Sequence, residues 1–344
     1  MTNQSPITNH QSLITKPRMQ LSINTTVLIL AASLDYIIGD PWGWTHPVQV
    51  MGWFISSFSQ VAIKYISSPL LKRLAGIYLG IALIAGSGLT GWLIVQLANW
   101  LHPLLGVAIS SILLASCFAG RSLRAAAEDV LQPLTTNDLT EARSRLSKYV
   151  GRDTENLSTS EILRAVLETV TENATDGVMA PLFYAILGAC LPGVGSVALA
   201  LAYKAASTLD SMVGYRDEPY TDIGWFSAKF EDILTWLPCR LTVITLALMS
   251  GKPRQVWSIC SRDAIKDPSP NSGWSECAYA AILGVQVGGD NYYRGVLKHK
   301  PLLGDATSAI APASIHQALR LTRYCFLIWL GIATIVLIGL HPVK

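Results

Sequence analysis

Long apolar runs alternate with polar blocks along the chain. The segment 74–120 contains no Asp, Glu, Lys or Arg, and it is long enough for two membrane crossings of about 20 residues each. We predict the turn between these crossings at His102 and Pro103. Further apolar runs lie at residues 21–39, 48–66, 233–249 and 324–341. The pattern predicts an all-α, polytopic integral membrane protein.

The apolar run at 178–203 differs from the others because a Pro- and Gly-containing sequence interrupts it. The sequence 191-LPGVG-195 divides the run into two halves, and each half is too short to cross a hydrocarbon core of about 30 Å alone. The interruption predicts either one broken span or a re-entrant pair of helices. Non-helical backbone at that depth is tolerated only where protein or a cavity surrounds it.

An amphipathic helix is predicted immediately before this run. At about 100° per helical residue, Glu161, Glu168 and Glu172 fall within about 40° of one another. The opposite face carries apolar residues such as Val166 and Val170, so the helix should lie against an apolar surface. The acidic stripe indicates cation binding, and the alternative is the solvated face of a surface helix.

The composition supports the membrane class and narrows the range of functions. The chain is 51% apolar and 14% charged, with a mean hydropathy of +0.38, and these values are typical of membrane proteins. The net charge is +3 and no run of Lys or Arg occurs, so we expect no nucleic-acid partner. The six cysteines are scattered and predict neither a disulfide framework nor a zinc site.

The polar residues define the domain organisation. Residues 1–20 are rich in Asn, Gln, Ser and Thr and predict a disordered tail, which is followed by a single membrane-embedded domain over 21–344. The apolar run after the tail could belong to a cleaved secretory signal, but we favour an uncleaved anchor. Within the domain, polar sequence is concentrated in three blocks, at 121–176, 204–232 and 252–323.

Basic residues predict the orientation of the domain. Lys and Arg favour the cytoplasmic side of a membrane protein, and they flank the 74–120 segment at Lys64, Lys72, Arg73, Arg121 and Arg124. We therefore expect the polar blocks to face the cytoplasm. This orientation requires that 233–249 enters the membrane and returns, or that 278–289 supplies another passage.

Several polar residues are candidates for chemistry. Asp35 lies inside an apolar run, and an acid at membrane depth is a functional candidate. His46 precedes a proline and is either a turn residue or a base. Asp210 lies in an otherwise uncharged helical stretch, whereas Arg240 either reaches a lipid headgroup or binds an anionic substrate. The 262–276 segment has Pro, Asn, Ser and Gly ahead of a helix, which indicates phosphate binding by backbone N–H groups or a plain helix cap.

Six motifs occur in a consistent order along the chain. They are 35-DxxxGDPxxxxHPV-48, 152-RDT-154, 172-ENATDGVMAPLFYA-185, 203-YKAxxTLDSMxGY-215, 231-EDxxxxLPxRLT-242 and 269-SPNSGWxE-276. Together they resemble the adenosylcobinamide-phosphate synthase (cobinamide synthase) family of cobalamin biosynthesis over residues 30–300. One departure is Asp267, which stands where we expect a basic or imidazole side chain.

The resemblance implies a membrane enzyme. An enzyme of this family joins adenosylcobyric acid to 1-amino-2-propanol or its O-phosphate through an amide bond, with ATP and Mg²⁺ as the driving pair. The resemblance also implies that 21–344 is one catalytic domain in the cell membrane, with a cytoplasmic active site and with other corrinoid-pathway proteins as candidate partners. No Gly-x-x-x-x-Gly-Lys-Ser/Thr sequence occurs, so ATP binding rests on the resemblance.

Within this resemblance we assign roles to individual residues as hypotheses. Carboxylates are the preferred ligands of Mg²⁺, and four are assigned to it: Glu168, Glu172, Asp176 and Asp210. Three basic side chains would neutralise phosphate charge: Lys204, Arg216 and Arg240. The 269–274 loop would bind the nucleotide or the amino alcohol phosphate through Ser269, Asn271, Ser272 and Gly273. The base that deprotonates the amine would be Asp263 or His46.

Two other functions remain open at this point. A membrane transporter of a corrinoid or another anionic small molecule would share the broken apolar run and the intramembrane Asp35, but the chain contains no convincing second copy of its motifs. A sensor or assembly partner without catalysis would explain the apolar runs and leave the clustered acids unexplained. Product formation by the purified protein separates the enzyme from both alternatives.

Overall fold

The computed structural model describes residues 10–39 and 46–339 and is almost entirely helical. The helices are α1 (His10–Ile37), α2 (Pro47–Tyr65), α3 (Pro69–Leu101), α4 (Pro103–Ala115), α5 (Gly120–Leu134), α6 (Leu139–Leu146), α7 (Thr159–Asn173), α8 (Ala180–Cys190), α9 (Ser196–Val213), α10 (Trp225–Met249), α11 (Pro253–Asp263), α12 (Ser272–Leu283) and α13 (Pro312–Gly339). A π-helical turn follows α7, a 3-10 turn follows α11, and β1 (Val287–Tyr293) and β2 (Val296–Leu303) form an antiparallel hairpin.

Four helical segments of the described chain are long and apolar enough to cross a membrane: Pro69–Leu101, Pro103–Leu134, Trp225–Met249 and Pro312–Gly339. This finding confirms the polytopic helical membrane class. His102 lies between the first two segments and caps α4, because its Nδ1 accepts the N–H of Leu104 at 3.2 Å. The turn predicted at His102 and Pro103 is therefore present.

Helix α1 overlaps the segment for which we predict a disordered tail, and the predicted tail stays a prediction. The helix begins at His10, so it includes residues 10–20, which we assigned to a disordered tail. Residues 1–9 and the part of the first motif at 40–45 lie outside the described residues.

The interrupted run at 178–203 folds as a helical hairpin. The rings of Tyr184 on α8 and Tyr203 on α9 stack with centroids 4.9 Å apart, so the two helices lie side by side. At the closed end, the Trp92 Nε1–H of α3 donates to the carbonyl oxygen of Gly193 at 2.8 Å. This hairpin agrees with the predicted pair of helices, and its re-entry into the membrane stays a prediction. Helix α9 continues to Val213 and so reaches the polar block at 204–232.

The two segments considered as passages near the third polar block are a continuous helix and a helix–strand junction. Helix α10 runs unbroken through 233–249 with Pro238 inside it, and membrane helices tolerate proline where neighbouring groups satisfy the freed backbone. The 278–289 segment is divided between α12 and β1 by Gly284, whose φ of +67° ends α12. After α10 the chain returns to the level of Asp232, whose carbonyl oxygen accepts a hydrogen bond from Asn271 Nδ2 at 2.8 Å. The orientation of the polar blocks stays a prediction.

The three polar blocks nevertheless come together as one body. Arg152 Nη1 donates to Asn291 Oδ1 at 2.8 Å, which joins the first block to the third. Lys298 forms an ion pair with Asp217, which joins the third block to the second. The β1–β2 hairpin makes both contacts, and the hydrophobic pattern did not predict it. One consequence is that residues far apart in sequence share a site at this end of the helices.

Candidate functional site

Helix α7 carries the acidic stripe, and its first member has a structural role. Ser158 N–H donates to Glu161 Oε2 at 2.7 Å, and Ser158 Oγ–H donates to the same oxygen at 2.6 Å. This is a capping box, which satisfies N–H groups at the start of the helix. The hydrogen bonds from Ser158 lower the pKa of Glu161. Glu161 therefore caps α7 and is not part of a cation site.

The second member of the stripe, Glu168, is buried and already paired. Its Oε2 lies 2.5 Å from Arg152 Nη2, and its Oε1 lies 3.8 Å from Arg164 Nη1. The backbone N–H of Gly288 also donates to Oε1, at 2.8 Å. The structure thus gives Glu168 a role other than the predicted Mg²⁺ ligand, since its charge joins α7 to the first polar block and to β1.

The third member, Glu172, is partly buried and lies near a buried acid that the sequence pattern did not single out. Glu276 on α12 is 1% exposed, and its Oε1 lies 3.2 Å from Lys300 Nζ on β2. Burial raises the pKa of Glu276. The charge of Lys300 lowers this pKa and the charge of Glu172 raises it, and the resulting value is about 8. Burial also raises the pKa of Glu172. Lys300 is therefore a cation beside two carboxylates that disfavour each other's charged form.

Helix α12 is held beside α7 by two hydroxyl contacts. Ser275 Oγ–H donates to the carbonyl oxygen of Thr171 at 2.6 Å, and the hydroxyls of Ser275 and Thr175 lie 2.8 Å apart. Because all three groups are buried, these bonds fix the position of α12 closely. They bring Glu276 next to the end of α7 that carries Glu172.

The π-helical turn Ala174–Met179 presents Asp176 to a second group of acids. Wide turns of this kind redirect side chains and are frequent at functional sites. Burial raises the pKa of Asp176 well above its usual range, and the charges of Glu231, Glu172 and Asp210 raise it further, whereas Lys204 lowers it. Four carboxylates from α7, the π-helical turn, α9 and α10 therefore lie within electrostatic reach of one another.

Glu231 and Asp210 differ in how their oxygens are satisfied. Glu231 Oε1 accepts hydrogen bonds from Thr235 and, at 3.4 Å, from the Tyr203 hydroxyl. Asp210 Oδ1 is buried against Gly214, and no residue in the described part of the chain donates a hydrogen bond to it. A buried carboxylate oxygen without a donor is costly, so Asp210 is the member of the group best prepared to take a cation.

These carboxylates fit Mg²⁺ by donor type. No three His, Cys, Asp or Glu side chains within 10–39 and 46–339 are gathered closely enough to hold an ion by themselves. Mg²⁺ usually binds one or two carboxylates and completes its shell with water and phosphate oxygens. Asp210, Glu172 and Asp176 suit that mode of binding, and Glu168 does not because arginines already surround it.

The 269–274 loop is closed by its own side chains. Asp267 Oδ1 accepts the N–H of Ser269 at 2.8 Å. Ser269 Oγ then accepts the N–H groups of Asn271 and Ser272, at 3.3 and 3.2 Å. A Cβ on Gly273 would lie 2.5 Å from the Cβ of Asp267. These backbone N–H groups are therefore already bonded, which corrects the expectation of an open phosphate cradle. The departure at Asp267 is the physical reason.

Two predicted phosphate ligands hold this loop from outside. Arg216 Nη2 donates to the Pro268 carbonyl oxygen at 3.0 Å, and Arg240 Nη2 donates to the Pro270 carbonyl oxygen at 2.9 Å. The Arg240 guanidinium also stacks on Trp274, 4.3 Å from the ring centroid. A guanidinium has five N–H donors, so both arginines keep donors for an anion while they position the loop.

The structure does not support either predicted base. Asp263 accepts from Arg262 Nε and Lys266 Nζ, both at 3.0 Å, and from the Gly304 N–H at 3.2 Å. Its bonds to Arg262 above all lower its pKa to about 2, so the carboxylate is a poor proton acceptor at neutral pH. His46 caps α2, and its Nδ1 accepts the N–H of Val48 at 3.3 Å. This histidine is therefore the turn residue of the two alternatives.

Sequence reasoning missed three members of the site: Glu231, Glu276 and Lys300. The first two lie inside quoted motifs, 231-EDxxxxLPxRLT-242 and 269-SPNSGWxE-276, so treating every acid in those motifs as a candidate would have found them. Lys300 lies outside all six motifs, in a strand that the sequence pattern did not predict.

Comparisons with known proteins agree with these motifs. The CobD/Cbib protein family matches residues 28–322. The chain is 57% identical over 316 residues to the cobalamin biosynthesis protein CobD of Synechocystis sp., covering 91% of this chain and 92% of that protein. It is 41% identical over 296 residues to the cobalamin biosynthesis protein CbiB of Salmonella arizonae, covering 85% and 91% respectively. The comparison with solved structures gave no match.

The family match spans the carboxylate group and the polar blocks around it. Both relatives align over more than nine tenths of their own length, so the correspondence is with whole proteins. The chain belongs to the CobD/CbiB protein family, the adenosylcobinamide-phosphate synthase family that its six motifs predicted.

Proposed function

We propose that this protein acts in cobalamin biosynthesis and joins adenosylcobyric acid to 1-amino-2-propanol or its O-phosphate in an ATP-dependent reaction. The family and the names of its relatives support the pathway. The carboxylate group, with Glu231 and Glu276 buried and its other members partly buried, supports a site for charged substrates. The membrane helices support a location in the cell membrane. We propose that the joined polar blocks face the cytoplasm, where ATP is available.

The chemistry requires activation of the acid. A carboxylate and an ammonium group do not condense readily at neutral pH. In the proposed route a carboxylate oxygen of adenosylcobyric acid attacks the γ-phosphorus of ATP, ADP leaves, and an acyl phosphate forms. The neutral amine then attacks the acyl carbon, inorganic phosphate leaves, and the amine proton passes to a base. Each step moves negative charge, which basic side chains and bound cations stabilise.

The observation that carries this proposal is a group of carboxylates held together where the polar blocks meet. Its members are Glu172, Asp176, Asp210, Glu231 and Glu276, with Lys204 and Lys300 beside them. Burying like charges together costs free energy, and functional sites are where proteins retain such arrangements. Glu172, Asp176 and Asp210 would hold Mg²⁺, which shields phosphate charge when bound.

The basic residues divide into two tasks in this proposal. Lys204 and Lys300 lie within the carboxylate group and compensate part of its charge before substrates bind. Arg216 and Arg240 hold the 268–270 backbone and direct their remaining N–H donors to phosphate. The side chain that accepts the amine proton is one of the buried carboxylates with a raised pKa, for which Glu276 is our choice.

The test is direct product formation. Detergent-solubilised protein is incubated with adenosylcobyric acid, ATP and Mg²⁺, with either 1-amino-2-propanol or its O-phosphate, and the new amide is detected by mass spectrometry. We expect product that requires both ATP and Mg²⁺. Glu172→Gln should abolish product formation, whereas Glu155→Gln, which changes an exposed acid in the same polar block, should leave it unchanged.

Two results would contradict the proposal. If folded protein forms no amide with either amine, the ligase reaction is excluded. Corrinoid uptake into vesicles would then support the transporter function. Full activity of Glu172→Gln would be compatible with the ligase reaction but would show that the carboxylate group takes no part in it.

A further inference from the structure

A separate cavity lies between α1, α5 and α13. Its volume is about 790 Å³, and only Val178 lines it from the π-helical turn that carries Asp176. Helix α5 is fixed against that turn from the cavity side, because the Ala119 N–H donates to the Gly177 carbonyl oxygen at 3.0 Å. The cavity is thus a neighbour of the carboxylate group but is lined by other residues.

The cavity lies where the uncharged stretches of three helical segments end. Residues 23–34, 103–120 and 324–339 contain no Asp, Glu, Lys or Arg. The charged residues that border these stretches are Asp35, Arg121 and Arg323, and all three line the cavity. The boundary between uncharged and charged segments of membrane helices corresponds to the headgroup layer. The cavity therefore spans the border between acyl chains and headgroups.

The lining of the cavity is apolar at one end and basic at the other, which matches this depth. On the side of the uncharged stretches the lining is apolar, with Ile29 from α1 and Leu327 and Leu330 from α13. At the border it contains three guanidinium groups, from Arg121, Arg124 and Arg323. A ligand that fills the cavity must therefore be apolar at one end and anionic at the other.

The arginines are placed by contacts that leave donors available. Arg121 Nη1 donates to the Ile37 carbonyl oxygen at 2.6 Å, and the Arg323 guanidinium lies 3.9 Å from the centroid of the Tyr36 ring. Arg124 makes no ion pair with any residue in the described part of the chain. Each contact uses at most part of the five N–H donors of a guanidinium.

Two carboxylates also line the cavity, but both are turned to other groups. Glu128 Oε1 lies 3.3 Å from His316 Nδ1. Asp35 lies close to the backbone of Gly120, where an added Cβ would be 2.8 Å from Asp35 Oδ2. The three arginines outnumber the two acids, so the lining attracts an anion.

We propose that this cavity binds one anionic glycerophospholipid from the surrounding bilayer. The headgroup phosphate lies between Arg124 and Arg323, and an acyl chain lies along Leu327 and Leu330. Arginine suits this task because its planar donor set binds phosphate oxygens in pairs. Basic pockets between membrane helices at headgroup depth are a recognised way to bind such lipids.

The test is native mass spectrometry of the full-length protein in detergent micelles. The probes are phosphatidylglycerol and phosphatidylcholine with identical acyl chains, each added at equal concentration. We expect retention of one phosphatidylglycerol per protein, and about tenfold weaker retention in Arg124→Gln and in Arg323→Gln, since a charge-assisted hydrogen bond is worth about 1.4 kcal/mol or more. Arg254→Gln, which removes an exposed arginine from α11 outside the cavity, serves as the matched control and should retain the lipid as the unmodified protein does.

The controls separate lipid binding from folding and from substrate binding. Arg124→Lys should retain more lipid than Arg124→Gln, and both should keep the melting temperature of the unmodified protein. Equal retention of the two lipids, or unchanged retention by Arg124→Gln and Arg323→Gln, would overturn the proposal. Displacement of the lipid by adenosylcobyric acid or by inorganic phosphate would also overturn it, because the cavity would then be a site for a soluble anion. The measurement does not involve catalysis, so it stands or falls independently of the proposed reaction.

Discussion

Two regions of this protein bury acids in opposite ways. In the middle of α7, Glu168 lies between Arg152 and Arg164 and accepts a backbone N–H. Beyond the end of α7, Asp176 and Asp210 lie among other carboxylates, and Asp210 keeps an oxygen without a donor. In the first arrangement two arginines of the protein balance the charge of the acid, whereas the second has more negative charge than its own cations balance. An acid of the first kind stabilises the fold, and an acid of the second kind is prepared for a ligand.

The largest expected effect comes from the uncompensated region. Asp210→Asn should lower the rate of amide formation about 1000-fold, which corresponds to roughly 4 kcal/mol of lost stabilisation of the charged transition state. The melting temperature should stay the same or rise, because the variant removes a buried charge that lacks a partner. Turnover and melting are measured on the same preparation. A variant that keeps its activity but melts earlier would show that Asp210 belongs with the structural acids.

The region around Glu168, where arginines balance the charge of the acid, should respond by losing folding stability. Arg152→Met leaves the buried carboxylate of Glu168 with less compensation and should cost about 3–5 kcal/mol of folding free energy, which is the usual cost of breaking a buried ion pair from one side. Thermal unfolding in detergent measures the loss. The double variant Arg152→Met with Glu168→Gln should recover a large part of it, since no unpaired charge then remains. Equal destabilisation in the single and double variants would contradict this pairing.

A smaller effect is expected at Asp263, which also has its own cations. Its bonds to Arg262 hold its pKa at about 2, below the ordinary value of 3.8. The stabilisation is therefore present above about pH 4 and is lost as the pH falls towards 2. Asp263→Asn should destabilise the protein by about 1 kcal/mol at pH 7, a figure reduced for the exposure of Arg262.

The pH dependence provides the check on that assignment. The difference in melting temperature between Asp263→Asn and the unmodified protein should be constant from pH 7 to about pH 5. It should shrink below about pH 4, where the carboxylate of the unfolded chain gains a proton while that of the folded protein stays charged until about pH 2. A difference that grows as the pH falls would mean that the side chain is protonated in the folded protein.

The smallest effect is expected at the start of α7. Ser158→Ala removes one half of the capping box and should cost about 1 kcal/mol. Thr159→Ala changes the adjacent exposed residue and should have little effect on the melting temperature. If the two variants behave alike, the cap contributes nothing beyond helix propensity.

The sequence was sufficient to predict what local pattern determines. Charge-free stretches and the interruption at 191–195 predicted the membrane helices and the α8–α9 hairpin, because length and Pro/Gly content set these features directly. The six motifs identified the family to which the chain belongs. By contrast, the pattern could not show which acids carry their own cations, since Arg152, which pairs with Glu168, and Lys300, which pairs with Glu276, come from other segments. Arg152 lies 16 residues before Glu168, and Lys300 lies in a hairpin with little periodic signal.

The loop at 269–274 illustrates the same limit in another way. Its composition predicted open N–H groups at the start of α12. Asp267 and Ser269 instead bond those groups within the loop. Side chains that can bond their own backbone compete with external ligands for the same donors, and sequence composition alone does not show which of the two prevails.

The α8–α9 hairpin also constrains how the chain can vary. Asp176 lies before one arm and Asp210 lies in the other, so the carboxylate group forms only if the two arms return the chain to the same level. Inserting one residue in a helix shifts the rest of that helix by about 1.5 Å and rotates it by about 100°. We infer that changes in the number of residues are tolerated at the closed end, 191–195, and excluded from the arms. The two arms of the hairpin must therefore keep their lengths relative to each other.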